Sequence, residues 1–110
     1  MGETMAGRIQ NRRNVRVLCG APAKLESPKG MVQGTCRNLS LGGLFFVGGA
    51  LPIGHTVEIT IDLPEAGHVQ ARGEIRYHHD YPEGPGMGIR FTHLAEEHAQ
   101  VLRRYVLGRA

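Results

Sequence analysis

His55-Thr56-Val57-Glu58-Ile59-Thr60-Ile61-Asp62-Leu63 decides the fold. Val57, Ile59 and Ile61 share one face of an extended chain, and Glu58, Thr60 and Asp62 share the other. A period of two with β-branched residues on the apolar face predicts a half-buried strand. Pro64-Glu65-Ala66-Gly67 then reads as a turn. Beyond it Val69, Ala71, Gly73, Ile75 and Tyr77 alternate with Gln70, Arg72, Glu74, Arg76 and His78, predicting a long strand with the same two-faced character. Tyr81 to Pro85 reads as loop, and Gly86 to Thr92 as a last strand with Met87, Ile89 and Phe91 on one face.

The same grammar extends toward the N-terminus. Asn14 to Leu18 predicts the start of a strand that resumes at Ala23 to Glu26. Ser27-Pro28-Lys29-Gly30 is a turn, and Met31 to Leu39 a second strand. Gly42-Gly43 breaks that strand, and Leu44-Phe45-Phe46-Val47 follows as a short buried one. Only the tail has helical spacing, in Leu94, Val101, Leu102 and Tyr105. Glu96 and Glu97 are placed in its first turn, Arg103 and Arg104 in its last, Thr92 at its N-cap and Gly108 at its end. About six strands followed by one helix predict an antiparallel sheet closed into a small barrel, all-β apart from the C-terminal α-helix.

With 110 residues the chain has the size of one domain. Its 41% hydrophobic and 21% charged residues fit a globular chain. No apolar run is long enough to span a membrane, and residues 1–10 lack the apolar stretch of a signal peptide. The expectation is therefore a cytoplasmic protein without membrane insertion. Cys19 and Cys36 have no zinc-ligand spacing and read as two small buried thiols, a pairing between them staying open. The six histidines show no ligand spacing. Nucleophile elbow, phosphate-binding loop and dinucleotide fingerprint are all missing. The chain therefore reads as a non-enzyme with no cofactor.

Charge is distributed more tellingly than its total of +3. Eleven of the thirteen cations are arginine, and Arg8, Arg12, Arg13 and Arg16 crowd into nine residues. No acid lies between Glu3 and Glu26. Such an arm is either a solvated, flexible segment or a site for phosphate and guanine, since guanidinium is a planar fork of donors. Residues 1–9 are expected to be a flexible arm and residues 10–107 a single domain. A second short element, Asn38-Leu39-Ser40-Leu41-Gly42-Gly43, follows twenty-two residues after Arg16. By itself it is a polar turn at a strand end.

In this order, on this strand pattern, R-x-x-x-R at Arg12 to Arg16 and N-x-S-x-x-G at Asn38 to Gly43 resemble the PilZ domain, a bacterial receptor family for cyclic di-GMP. The likeness runs from about Gln10 to Val106 and includes Gly86-Met87-Gly88-Ile89-Arg90-Phe91. It implies a six-stranded antiparallel barrel that binds cyclic di-GMP through Arg12, Arg13, Arg16, Asn38, Ser40 and Gly43. The family allows Asp or Asn at the position of Asn38. An arm with four arginines and few apolar residues is expected to order only when the dianion binds, and output is expected to pass to a separate, unidentified protein. Two other readings stay open. One is a PilZ-like adaptor of type IV pili, which binds no nucleotide; those members lack these arginines. The other is a nucleic-acid-binding barrel, disfavoured by 5% aromatic residues and no Trp, because single-strand binders stack bases on aromatic side chains.

Overall fold

The computed structural model describes residues 15–109. Six strands follow one another as β1 (Val17–Ser27), β2 (Gly30–Leu39), β3 (Gly43–Val47), β4 (Thr56–Leu63), β5 (Gly67–Tyr81) and β6 (Gly84–His93), and the helix α1 spans Glu96–Arg109. All pairings are antiparallel, and the sheet closes as a barrel in the order β1-β2-β3-β6-β5-β4. The barrel and its C-terminal helix are those the alternation predicts.

The inner faces carry the apolar half of each alternation. Leu25, Leu39, Leu44, Phe46, Ile59, Ile61, Ile75 and Met87 are fully buried at the centre. Leu102, Tyr105 and Val106 of α1 belong to the same cluster, so the helix covers barrel core rather than standing apart. Burying each such side chain is worth about 1.5–3 kcal/mol. Turn chemistry fixes the register. The Ser27 hydroxyl accepts from the Lys29 N–H at 3.1 Å, and Gly30 takes a φ of 127° that only glycine adopts readily.

Four boundaries differ from the sequence expectation. β1 is one strand rather than two pieces; a bulge at Cys19 and Gly20 interrupts its register without breaking it. β5 runs on to Tyr81 and β6 starts at Gly84, so the expected loop at 81–85 shrinks to Pro82 and Glu83. Thr92 is not the N-cap, because it belongs to β6 and its hydroxyl donates to the Arg72 carbonyl at 3.2 Å. Ala95 occupies the cap position: its carbonyl accepts the first intrahelical bond, from the Ala99 N–H at 2.8 Å. The helix also passes through Gly108, so Arg109 rather than Arg103 and Arg104 sits in its last turn.

Candidate ligand-binding site

A row of outward positions crosses five strands. Leu18 of β1 pairs with Asn38 of β2, Asn38 with Phe45 of β3, Phe45 with Gly88 of β6, and Gly88 with Tyr77 of β5. Leu44 and Phe46 point into the core on either side of Phe45, and Met87 and Ile89 do so on either side of Gly88. Gly88 leaves room in the row, since a Cβ there would fall on the Tyr77 ring. Through that gap Phe45 and Tyr77 meet edge to face at 5.4 Å, and Tyr81 meets Phe45 from the other side at 5.8 Å.

Arg16 closes the row from above. It lies just before β1, where the neighbouring Val15 packs against the core. Its Nη1 donates to Asn38 Oδ1 at 3.1 Å, and its guanidinium lies 5.2 Å from the Phe45 ring centre. The bond to Arg16 orients the Asn38 amide: the oxygen faces the cation, and the NH2 group becomes the donor on the other side. Burial pushes the Tyr77 phenol above its usual range, although the nearby Arg16 charge opposes that, so the phenol is a donor at neutral pH.

Beside this row lies an open cavity of about 600 Å³, within the size range of small-molecule sites. Arg16, Arg76, Tyr77 and Arg90 line it, together with the 40–44 turn and residues 88–94 of β6 and its exit. Arg76 and Arg90 share one acid, Glu74, at 3.4 and 3.3 Å. Three guanidinium groups against one carboxylate leave the rim cationic. Those ion pairs are solvent-exposed and add little stability, so the rim arginines are free to exchange partners at small cost.

The 40–43 turn is built by Ser40 itself. Its hydroxyl donates to the Gly43 carbonyl at 3.3 Å and accepts from the Gly42 N–H at 3.2 Å, while its own N–H donates to the same carbonyl at 2.9 Å. Ser40 is 2% exposed, so its hydroxyl shapes the turn rather than projecting from it. Ser40→Ala leaves the Gly42 N–H without its partner. The expected result is a loss of about 1–2 kcal/mol in urea unfolding, with the β-barrel otherwise intact. Gly43 sits in the β3–β6 ladder opposite Arg90, and a Cβ there would fall on the Ile89 carbonyl oxygen.

Of the sequence-expected site residues, the structure brings Arg16, Asn38, Ser40 and Gly43 together at one end of β2. Arg12 and Arg13, with the expected arm at 1–9, lie outside the described residues. Phe45, Tyr77, Arg76 and Arg90 were missed. Leu44 to Val47 reads as wholly buried, yet strict alternation would have turned Phe45 outward. Tyr77 was expected on the inner face of β5 and is 43% exposed, because a register shift between Ile75 and Tyr77 moves it out of the alternation.

A closed barrel whose one outer face is led by arginine, amide and aromatic rings defines a ligand-receiving domain. The profile of the PilZ domain family matches residues 10–108, and the chain belongs to that family of non-enzymatic receptor and adaptor domains. A search of curated protein sequences finds none that matches this chain. Among solved structures, the Bacillus subtilis inhibitor of motility (MotI/DgrA) superposes with a TM-score of 0.77 at 23% identity, over 92% of this chain and 51% of that one. The PilZ domain of Escherichia coli YcgR with c-di-GMP gives 0.74 at 16% identity, over 91% and 92%. The K. pneumonia MrkH–c-di-GMP complex gives 0.74 at 13% identity, over 91% and 52%. At these identities the likeness is one of fold. The chain spans about half the length of the Bacillus and Klebsiella proteins. Among the described residues no helix is long and apolar enough to cross a membrane.

Proposed function

We propose that this chain is a cyclic di-GMP receptor that acts by binding alone and passes its output to a separate, unidentified protein. The observation that carries this reading is the Arg16–Asn38 bond at 3.1 Å, which joins the last arginine of one motif to the first residue of the other across twenty-two positions of sequence. The ligand is doubly anionic and carries two guanines. Arg16 forks onto a guanine O6 and N7 edge or onto a phosphate, and stacks its plane on a purine. The Asn38 NH2 group meets a guanine acceptor, Phe45 and Tyr77 give an apolar edge for the bases, and Arg76 and Arg90 supply the remaining positive charge. Ser40 and Gly43 serve by holding the turn that carries this edge. Family membership and the fold shared with two proteins solved as c-di-GMP complexes support the reading.

Arg12 and Arg13 complete the site in this proposal. Fixing each residue of an arginine-rich arm costs about 1–2 kcal/mol of backbone entropy, and a dianion between Arg12 and Arg16 offsets that cost. The arm therefore orders on the barrel when the nucleotide binds. Hydrogen exchange of the full chain with and without cyclic di-GMP checks this. Protection gained mainly in residues 10–18 and 38–43 is expected. An arm equally protected without the nucleotide would contradict ordering on binding and indicate a preformed site.

A further inference from the structure

The β1 bulge brings two thiols to one point of the barrel wall. β1 and β2 pair at Leu18–Asn38, lose register, and pair again at Ala21–Cys36. Cys19 and Gly20 fill the gap, with Gly20 at a φ of 71°. Cys19 packs against the core cluster that contains Cys36, two positions along β1 from Ala21, the residue that pairs with Cys36. A disulfide needs Cα atoms about 4.4–6.8 Å apart, and the bulge places Cys19 on the stretch of β1 that faces Cys36. Both cysteines are free thiols.

The two thiols are chemically unequal. Cys19 is partly exposed, whereas Cys36 has no exposed surface. Three elements surround Cys19. From β2 comes the Cys36 thiol; from α1, the Tyr105 hydroxyl donates at 3.6 Å and Arg109, stacked 3.9 Å from the Tyr105 ring, adds positive charge; from its own strand comes the Ala21 N–H. The neighbouring Cys36 thiol, followed by the Tyr105 hydroxyl, the Ala21 N–H and the Arg109 charge, outweighs burial and lowers the Cys19 thiol to about 6. The neighbouring Cys19, together with burial, pushes the Cys36 thiol up, and the part due to the Cys19 charge is lost once Cys19 is oxidised.

We infer that Cys19 is a site of reversible oxidation by peroxides and that Cys36 resolves it to a disulfide joining β1 to β2. In the first step the Cys19 thiolate attacks a peroxide oxygen: an S–O bond forms, the O–O bond breaks, and the departing oxide leaves protonated as water or alcohol. Sulfur is oxidised to the sulfenic acid and the peroxide is reduced. In the second step the Cys36 sulfur attacks the Cys19 sulfur: the S–S bond forms, the S–O bond breaks, and the oxygen leaves as water with the Cys36 proton. The bond ties the strand that follows Arg16 to the strand that carries Asn38. It also removes the Cys36 S–H, which reaches the Asn38 carbonyl at 3.4 Å.

The test uses the full chain, hydrogen peroxide under native conditions, and peptide mass mapping after alkylation in denaturant. The parent is expected to lose two hydrogens and to yield a Cys19–Cys36 linked peptide that dithiothreitol separates. Cys36→Ser is expected to accumulate a dimedone-reactive Cys19 with no linked peptide. In Cys19→Ser, Cys36 is expected to remain a thiol at the same exposure. Alkylation of Cys19 in the folded parent should have its pH midpoint near 6. Two free thiols in the parent after peroxide treatment, or oxidation of Cys36 in Cys19→Ser at the parental rate, overturns the inference. The parent's peptide map and alkylation profile decide the matter if a variant does not fold. None of these readouts depends on a nucleotide.

Discussion

Arg16→Ala is expected to weaken cyclic di-GMP binding by about 2–3 kcal/mol, or roughly 30–150-fold, while leaving unfolding within about 0.5 kcal/mol of the parent. The two halves of this expectation have different causes. Arg16 is exposed, and its bond to Asn38 competes with water, so the folded barrel loses little without it. The ligand loses a charged fork and a stacking plane together. Arg16→Lys keeps the charge and loses the plane, and is expected to recover little of the affinity. Calorimetric titration of both variants, beside urea unfolding of each, separates the terms. Parental affinity in the lysine variant would mean that the site requires only positive charge.

Gly43→Ala is expected to destabilise the barrel by about 3 kcal/mol and to lower the melting temperature by more than about 10 °C. The obstacle is backbone: the new Cβ meets the Ile89 carbonyl oxygen in the β3–β6 ladder, and neither strand can yield without breaking pairs on both sides. The expected loss is a large share of the 5–15 kcal/mol typical of a domain. Thermal unfolding without ligand checks it. If instead the glycine served only to admit a ligand, the unliganded variant would melt with the parent and lose affinity alone.

Much of the barrel is legible in the sequence because each strand repeats one physical rule. Val57, Ile59 and Ile61 against Glu58, Thr60 and Asp62 leave one way to face the core, and glycine and proline mark where chains turn. Bulges are what the alternation hides. The extra positions at Cys19–Gly20 and next to Arg76 keep the strands continuous while shifting side chains between faces, and nothing in the local pattern announces them. That is why β1 reads as two fragments and Tyr77 as an inward residue. The helix start fails for a related reason: Thr92 has the chemistry of a cap but is held in β6 by its bond to Arg72.

The site divides along the same line. Arg16, Asn38, Ser40 and Gly43 were visible through the family motif, not through their spacing, since a separation of twenty-two positions says nothing about contact. Phe45, Gly88 and Tyr77 become neighbours only through the registers of β3, β6 and β5. The role of Ser40 was also beyond sequence. A hydroxyl in a glycine-rich turn is equally suited to face a ligand or to bond its own loop, and here burial and two hydrogen bonds give it to the loop.

The central claim is that the Arg16–Asn38 face receives cyclic di-GMP. One calorimetric competition on the full chain, with cyclic di-GMP, cyclic di-AMP and a short single-stranded oligonucleotide, tests it most directly. The account predicts saturable binding of cyclic di-GMP with at least about 100-fold preference over cyclic di-AMP, because adenine reverses the donor and acceptor pattern at C6 and strands the groups that meet guanine. It predicts no comparable binding of the oligonucleotide. Absence of saturable cyclic di-GMP binding would contradict the account and favour an adaptor that works without nucleotide. Equal affinity for the two cyclic dinucleotides would contradict base reading, and tighter binding of the oligonucleotide would mark the face as one for nucleic acid.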